Sequence, residues 1–264
     1  MAVDDKLIGF ANRLADASGA VIRPYFRQRI EVATKVRPGH SFDPVTEADK
    51  GAERAIRAII ERERPDDGIL GEEYGEKPGT NAYRWVLDPV DGTRGFITGR
   101  HEWGSLIALE ENEVPVLGII DQPALGERFI GVNGHTALHQ DGEVRRLKVR
   151  ECADLKDAIL CATDPSAYFS VEQQAGFARV KEFARMTRYC GDCYLFAVLA
   201  MGFVDIVIEA GFNRWDIAAL IPVVEGAGGI ITSWDGSDCR DGTTILACGD
   251  KRIHEQAMKL LANK

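Results

Sequence analysis

The sequence predicts a layered protein with an N-terminal α+β half (1–149) fused tightly to a C-terminal α/β half (150–264). Three observations carry that prediction. Apolar residues at helical spacing dominate the first sixty or so positions. From 83 to about 149 the chain turns into short apolar runs broken by Gly, Asn and Pro, the texture of strands. Beyond 150, strand-like and helix-like segments alternate, and no repeat, low-complexity stretch or linker divides the two textures.

The elements follow in order. Leu7, Phe10, Ala11, Leu14, Ala17, Val21 and Ile22 place a helix in 3–28. Residues 38–41, Pro-Gly-His-Ser, read as a loop. A second helix begins at Thr46, with Thr46 and Asp49 as a capping box and Ile56, Ile59 and Ile60 on one face. The turn at 65–68 leads into a short strand at 69–70, which ends at Gly71-Glu72-Glu73. Strands are expected at 83–88, 103–110, 114–121, 127–133 and 144–149. In the second half strands are expected at 158–162, 186–189, 204–209, 229–232 and 244–247, and helices at 167–183, 192–202, 216–227 and 251–262.

Composition narrows the function. With 264 residues, 45% hydrophobic and 28% charged, the chain is that of an ordinary globular protein with a sizeable core. A net charge of −9 and the lack of any basic, aromatic-interleaved window argue against a nucleic-acid partner. The N-terminus lacks a basic stretch followed by an apolar one, and the longest apolar run, 194–204, is too short to cross a bilayer, so no signal peptide and no membrane partner are expected. Cys190 and Cys193 form a lone CxxC, read together with the scattered remaining cysteines as buried thiols, from which a cytoplasmic location is expected.

The most informative stretch is Trp85-Val86-Leu87-Asp88-Pro89-Val90-Asp91-Gly92-Thr93. An apolar strand ends in two carboxylates three positions apart. Like charges repel and desolvation is costly, so such a pair calls for a cation. The spacing lets both side chains and the Val90 carbonyl converge on one point, and the Gly92-Thr93 amides can face an anion. A hard-metal site beside a phosphate cradle points to metal-assisted phosphoryl chemistry. Asp49, Glu72 and Asp216 are further carboxylates at helix starts or strand ends. Taken alone, each has a plain reading: Asp49 as the acid of a capping box, Asp216 as a helix cap, Glu72-Glu73 as solvated turn charges. His135 and His139, four apart, lie in strand-like surroundings and are not read as a metal pair; Trp85 and Trp103 read as core.

The chain resembles the inositol monophosphatase superfamily, through Asp43-Pro44-Val45-Thr46-Glu47-Ala48-Asp49, Gly71-Glu72-Glu73, Asp88-Pro89-Val90-Asp91-Gly92-Thr93, Trp215-Asp216 and the glycine-rich 225–229. Further segments, among them 65–73, 93–97, 103–109, 118–123, 191–194 and 222–229, look like the histidinol-phosphate phosphatase branch, whereas Asn213-Arg214-Trp215-Asp216 is closer to the inositol-phosphatase pattern. The resemblance implies an αβαβα sandwich and a lithium-sensitive, Mg²⁺-dependent phosphatase, expected to be a homodimer acting on a small phosphorylated alcohol.

It also implies roles. Glu72, Asp88 and the Val90 carbonyl would bind one Mg²⁺; Asp88, Asp91 and Asp216 would bind a second, with two or three ions per site. Asp49, Glu72 and Thr93 form the implied catalytic set, Thr93 orienting an attacking water and Asp49 accepting its proton. The Gly92 and Thr93 amides would hold phosphate. Asp192, Cys193, Glu209 and Arg214 would face the alcohol part of the substrate. The implied reaction is hydrolysis of histidinol phosphate, with inositol, sugar or nucleotide phosphates and a non-catalytic regulator as alternatives.

Overall fold

Asp4 starts the first helix, α1 (Asp5–Ile22), by accepting the Leu7 amide at 2.8 Å, and a 3-10 turn over Arg23–Tyr25 ends it. The computed structural model describes residues 3–34 and 44–262; the loop expected at 38–41 and Asp43 lie outside them. β1 (Ala33–Thr34) pairs antiparallel with β2 (Pro44–Val45), which delivers the chain to α2 (Glu47–Glu63). The predicted capping box closes α2: Asp49 Oδ2 accepts from the Thr46 amide at 2.9 Å and from its hydroxyl at 2.6 Å.

There follow β3 (Gly68–Gly71), β4 (Gly75–Lys77), β5 (Tyr83–Asp91), the short α3 (Thr93–Ile97), β6 (Gly104–Glu111), β7 (Val114–Gln122), β8 (Glu127–Val132), β9 (His135–Gln140) and β10 (Glu143–Arg146). These strands form one eight-stranded sheet in the order β10-β9-β8-β7-β6-β5-β3-β4, antiparallel except between β3 and β5. The second half contributes β11 (Ile159–Ala162), α4 (Pro165–Tyr168), α5 (Val171–Phe183), β12 (Met186–Tyr189), α6 (Tyr194–Ala200), β13 (Ile206–Ala210), α7 (Arg214–Ile217), α8 (Leu220–Gly226), β14 (Ile230–Thr232), β15 (Thr244–Cys248) and α9 (Lys251–Ala262). Its five-stranded sheet has the order β12-β11-β13-β15-β14, with β11 parallel to both its neighbours.

Side-chain alternation along β5 explains the stacking. Trp85 and Leu87 face one way and meet Phe10 and Leu14 of α1 and Ile56 and Ile60 of α2. Val86 faces the other way, into a core with Leu106 and Phe129 in which Phe196 of α6 and Leu220, Val223 and Val224 of α8 reach across to Val207, Ile245 and Ala247 of the second sheet. The far side of that sheet is covered by Phe177 and Val180 of α5 and Ile253 and Ala257 of α9. The layers therefore run helix, sheet, helix, sheet, helix, as the αβαβα expectation requires. α8 lies hard against the first sheet: a Cβ built on Gly118 of β7 would overlap the Ala219 carbonyl, and one on Gly131 of β8 the Pro222 backbone.

The structure corrects several element boundaries. The helix expected at 216–227 is two, because Pro222 brings no N–H to an interior turn and suits only the first turn of a new helix. The helix expected at 167–183 also divides, since Ser170 caps α5 with its own box to Gln173. β4 and β9 were not anticipated. His135 and His139 stand on β9, roughly 13 Å apart along a strand. All six cysteines are free, but Cys190 is exposed, so the reading of the CxxC as two buried thiols holds only for Cys193. Among the described residues no helix is long and apolar enough to cross a membrane.

Candidate active site

The site is assembled where β5 breaks its pairing. Asp88 lies opposite Leu106 and Asp91 opposite Gly104, so three steps on β5 match two on β6. On a regular strand, residues three apart point to opposite faces; this bulge turns both carboxylates into one cleft. The turn is held from behind. Ser105 Oγ donates to the Pro89 carbonyl at 2.7 Å and meets Ser18 Oγ at 2.8 Å, all within the protein interior. Gly92 then takes φ +83°, and a Cβ there would crowd the Glu102 carbonyl.

Asp216 joins from the first turn of α7. Asp88, Asp91 and Asp216 each offer an oxygen within 4.8 Å of the others. The Asn213 amide fixes Asp216 Oδ2 at 2.6 Å, and the Cys193 amide fixes Asp91 Oδ2 at 2.6 Å. Glu72, at the end of β3, lines the same cleft, and its charge acts on all three aspartates. Thr93 Oγ1 stands 3.0 Å from the Val90 carbonyl and 3.4 Å from Asp49 Oδ1. The cleft has a volume of about 370 Å³.

The opposite wall comes from the second sheet. Glu209, at the end of β13, accepts from the Thr163 amide at 2.6 Å and from its hydroxyl at 2.8 Å. The same hydroxyl oxygen receives the Asp192 amide at 3.1 Å, so one threonine ties the two acids together. Cys190, Gly191 and Asp192 are consecutive residues with positive φ, a bend that turns Asp192 into the cleft. Tyr168 completes this wall, with the Arg94 guanidinium 5.0 Å from its ring centre.

The electrostatics are those of a site waiting for positive charge. Burial, reinforced by the Asp192 charge, pushes Asp91 up to about 7. Burial with Asp91 and Glu72 nearby pushes Asp216 up to about 8. Burial lifts Asp88 well above the usual carboxylate range, and Glu72 and Asp91 lift it further. On the far wall, burial takes Glu209 to about 8 and, with Glu209 beside it, Asp192 to about 7. Oxygen donors alone, sunk and mutually repelling, fit a hard divalent cation such as Mg²⁺ and give zinc none of its preferred nitrogen or sulfur ligands.

This has a consequence for the metal-free protein. A raised folded-state pKa means that the fold binds protons the unfolded chain has released. The destabilisation these two groups cause is therefore absent below about pH 4 and grows as pH climbs toward about 8. The melting temperature in EDTA is expected to fall between pH 5 and pH 8.5, and Mg²⁺ is expected to remove most of that fall, because the cation binds the ionised folded site. Thermal melts across that range with and without Mg²⁺ check it; parallel pH profiles would count against a cation site.

The structure brings Asp49, Glu72, Asp88, Val90, Asp91, Gly92, Thr93, Asp192, Glu209 and Asp216 to one place. Two expectations on the substrate side need correction. The Cys193 side chain is buried in the central core, and its thiol and backbone amide both turn to Asp91 rather than to the alcohol side of the cleft. Arg214 points away from the cleft: its guanidinium binds Glu110 at 2.7 Å and Asp241 at 2.6 Å. Thr163 and Tyr168 were missed. The end of the strand expected at 158–162 was the available signal for Thr163; Tyr168 sits on a four-residue helix with no sequence pattern of its own.

Comparisons with known proteins agree with this geometry. The model of the inositol monophosphatase family matches residues 4–264. The bifunctional phosphatase IMPL2 of Arabidopsis thaliana is 43% identical over 97% of this chain and 75% of its own length. The histidinol-phosphatase of Mycobacterium tuberculosis is 35% identical over 99% of both chains. A solved inositol monophosphatase from Zymomonas mobilis superposes with a TM-score of 0.87 at 41% identity, covering all of both chains. A fold of that type, an acidic cluster suited to a divalent metal and a match along nearly the whole sequence place this chain in the inositol monophosphatase family, as a phosphatase of small phosphorylated compounds.

Proposed function

We propose that the protein is a histidinol-phosphate phosphatase, converting histidinol phosphate and water to histidinol and phosphate. The observation that carries this reading is the acidic wall opposite the metal cluster. Asp192 and Glu209, joined through Thr163, present one half-buried and one buried carboxylate to the alcohol side of the cleft. Buried anions favour a cationic partner, and histidinol offers an ammonium and an imidazole. The Tyr168 ring beside them gives the imidazole an aromatic surface. Whole-chain likeness to a histidinol-phosphatase supports the same reading.

In this reading Glu72, Asp88 and the Val90 carbonyl would hold one Mg²⁺, and Asp88, Asp91 and Asp216 would hold a second. When bound, Mg²⁺ neutralises phosphoryl oxygens, makes water a better nucleophile at neutral pH and favours departure of the alcohol. The Gly92 and Thr93 amides hold phosphate oxygens, and Thr93 Oγ1 orients the attacking water in line with the leaving group. Asp49 receives the water's proton through the Thr93 hydroxyl, 3.4 Å away. Burial raises the Asp49 pKa, which makes it a better proton acceptor than an exposed aspartate. The oxygen–phosphorus bond to water forms as the ester bond breaks; the departing oxygen takes a proton from a water molecule in the cleft, and the proton held by Asp49 returns to solvent. The resemblance also supplies the expectations of a homodimer and lithium inhibition, and the cysteine usage that of a cytoplasmic location.

A second reading, inositol-1-phosphatase or broad specificity, draws on the Zymomonas mobilis neighbour and the Trp215-Asp216 pattern. Phosphate release from a substrate panel with and without Mg²⁺ separates the readings. Histidinol phosphate is expected to give at least about a hundredfold higher kcat/KM than inositol-1-phosphate, the effect of one paired buried charge. Near-equal values would favour broad specificity. No turnover of any substrate would leave a metal- or phosphate-binding regulator.

A further inference from the structure

Behind the cleft, a carboxylate outside the expected metal set is built into the turn that carries Glu72. Glu53, on α2, is fully buried. Its Oε2 accepts the Glu73 amide at 2.8 Å, and its Oε1 accepts the Tyr74 amide at 3.2 Å and Arg57 Nε at 2.7 Å. Arg57 also donates to the Gly75 carbonyl, so the ion pair spans the turn from one end to the other. Glu53 occupies the space that a side chain at Gly71 would need: a Cβ there would overlap Glu53 Oε1. On the near side, the Glu72 amide donates to the Leu87 carbonyl at 3.1 Å, one residue before Asp88. The Glu72 backbone is therefore tied to β5 at its own amide and to α2 through the next two.

Burying a carboxylate is costly unless its oxygens are satisfied, and a lone turn on the surface would not require one. Here the carboxylate accepts from two successive turn amides and is paired with Arg57, an arrangement that fixes where the Glu72 side chain starts. The same helix carries Asp49 one turn earlier, so α2 reaches the proton acceptor and the Glu72 turn from a single rigid element. We infer that Glu53 is a positioning residue, which with Arg57 and Gly71 sets the reach of Glu72 toward the metal shared with Asp88. This rests on the metal assignment proposed above and extends it to a residue that touches neither metal nor substrate.

The test measures Mn²⁺ binding by titration calorimetry, alongside Mg²⁺ activation of turnover, for the parent protein, Glu72→Gln and Glu53→Gln. Glutamine keeps the shape of Glu53 but leaves one turn amide without an acceptor and weakens the bond to Arg57. Glu53→Gln is expected to weaken Mn²⁺ binding and raise the half-activating Mg²⁺ concentration by about 10- to 100-fold, the range for groups that orient a ligand. At saturating Mg²⁺, KM for the phosphate ester is expected to stay within about twofold of the parent, which general damage to the fold would not produce. Parent-like Mn²⁺ affinity in Glu53→Gln, with Glu72→Gln impaired, overturns the positioning role alone. Parent-like affinity in Glu72→Gln overturns the metal assignment itself. If Glu53→Gln does not fold, Arg57→Gln takes its place, with an expected loss of about tenfold in Mn²⁺ affinity; parent-like affinity there also overturns the proposal.

Discussion

The Asp91→Asn variant is expected to lose about three or more orders of magnitude in kcat/KM, the cost of removing several kcal/mol of transition-state stabilisation. Asp91 is the partner of Asp88 across the β5 bulge and shares the cluster with Asp216. An amide in its place offers one acceptor oxygen instead of two and carries no charge. The fold is expected to survive. Asp91 is pushed up to about 7 by burial and by Asp192, so taking away its charge relieves repulsion in the metal-free chain. The Cys193 amide, 2.6 Å from Asp91 Oδ2, still finds an oxygen if the side-chain amide orients its carbonyl toward it. In EDTA at about pH 8 the variant should therefore melt at or above the parent temperature. Steady-state kinetics and thermal melts read both effects, and near-parental turnover with Mg²⁺ would remove Asp91 from the metal set.

The second large effect concerns stability. Gly131→Ala places a methyl group of β8 against the Pro222 backbone of α8, where a Cβ has no room. The obstacle is backbone rather than a flexible side-chain end, so either the helix moves off the sheet or the strand bends. Overpacking of this kind costs about 3 kcal/mol, the upper part of its usual range. For a chain of this length that corresponds to a fall in melting temperature of about 6–12 °C. Turnover per folded molecule should be kept, because Gly131 does not line the cleft. An unchanged melting temperature would show that α8 rides more loosely on β7 and β8 than its spacing indicates.

Much of the site was legible because its signals are local. Asp88-Pro89-Val90-Asp91 announces a strand that ends in charge, and the Thr46–Asp49 box names its own geometry. The bulge between Asp88 and Asp91 was implied only by the chemistry; the pairing partner Gly104 lies thirteen positions further along. What stayed hidden depends on side-chain direction. Cys193 follows Asp192 and Arg214 stands two positions before Asp216, yet those short steps turn the first side chain into the core and the second toward Glu110. Tyr168 and Glu53 reach their places only through tertiary packing. In the fold, the start of α2 and both ends of α9 were readable to within a residue or so, while short pieces were not: β4 has three residues and α7 four, too few for any period to show.

The layer formed by α6 and α8 governs how this molecule can come apart or be made. Those helices fill both sheets' inner faces at once, with Phe129 on one side and Ile245 on the other. A chain severed near residue 150 would leave each fragment with a water-exposed apolar flank, so the two pieces should not persist as independent soluble bodies. During synthesis the eight-stranded sheet emerges first and keeps one flank bare until residue 226 has cleared the ribosome, an interval in which a chaperone has something to hold.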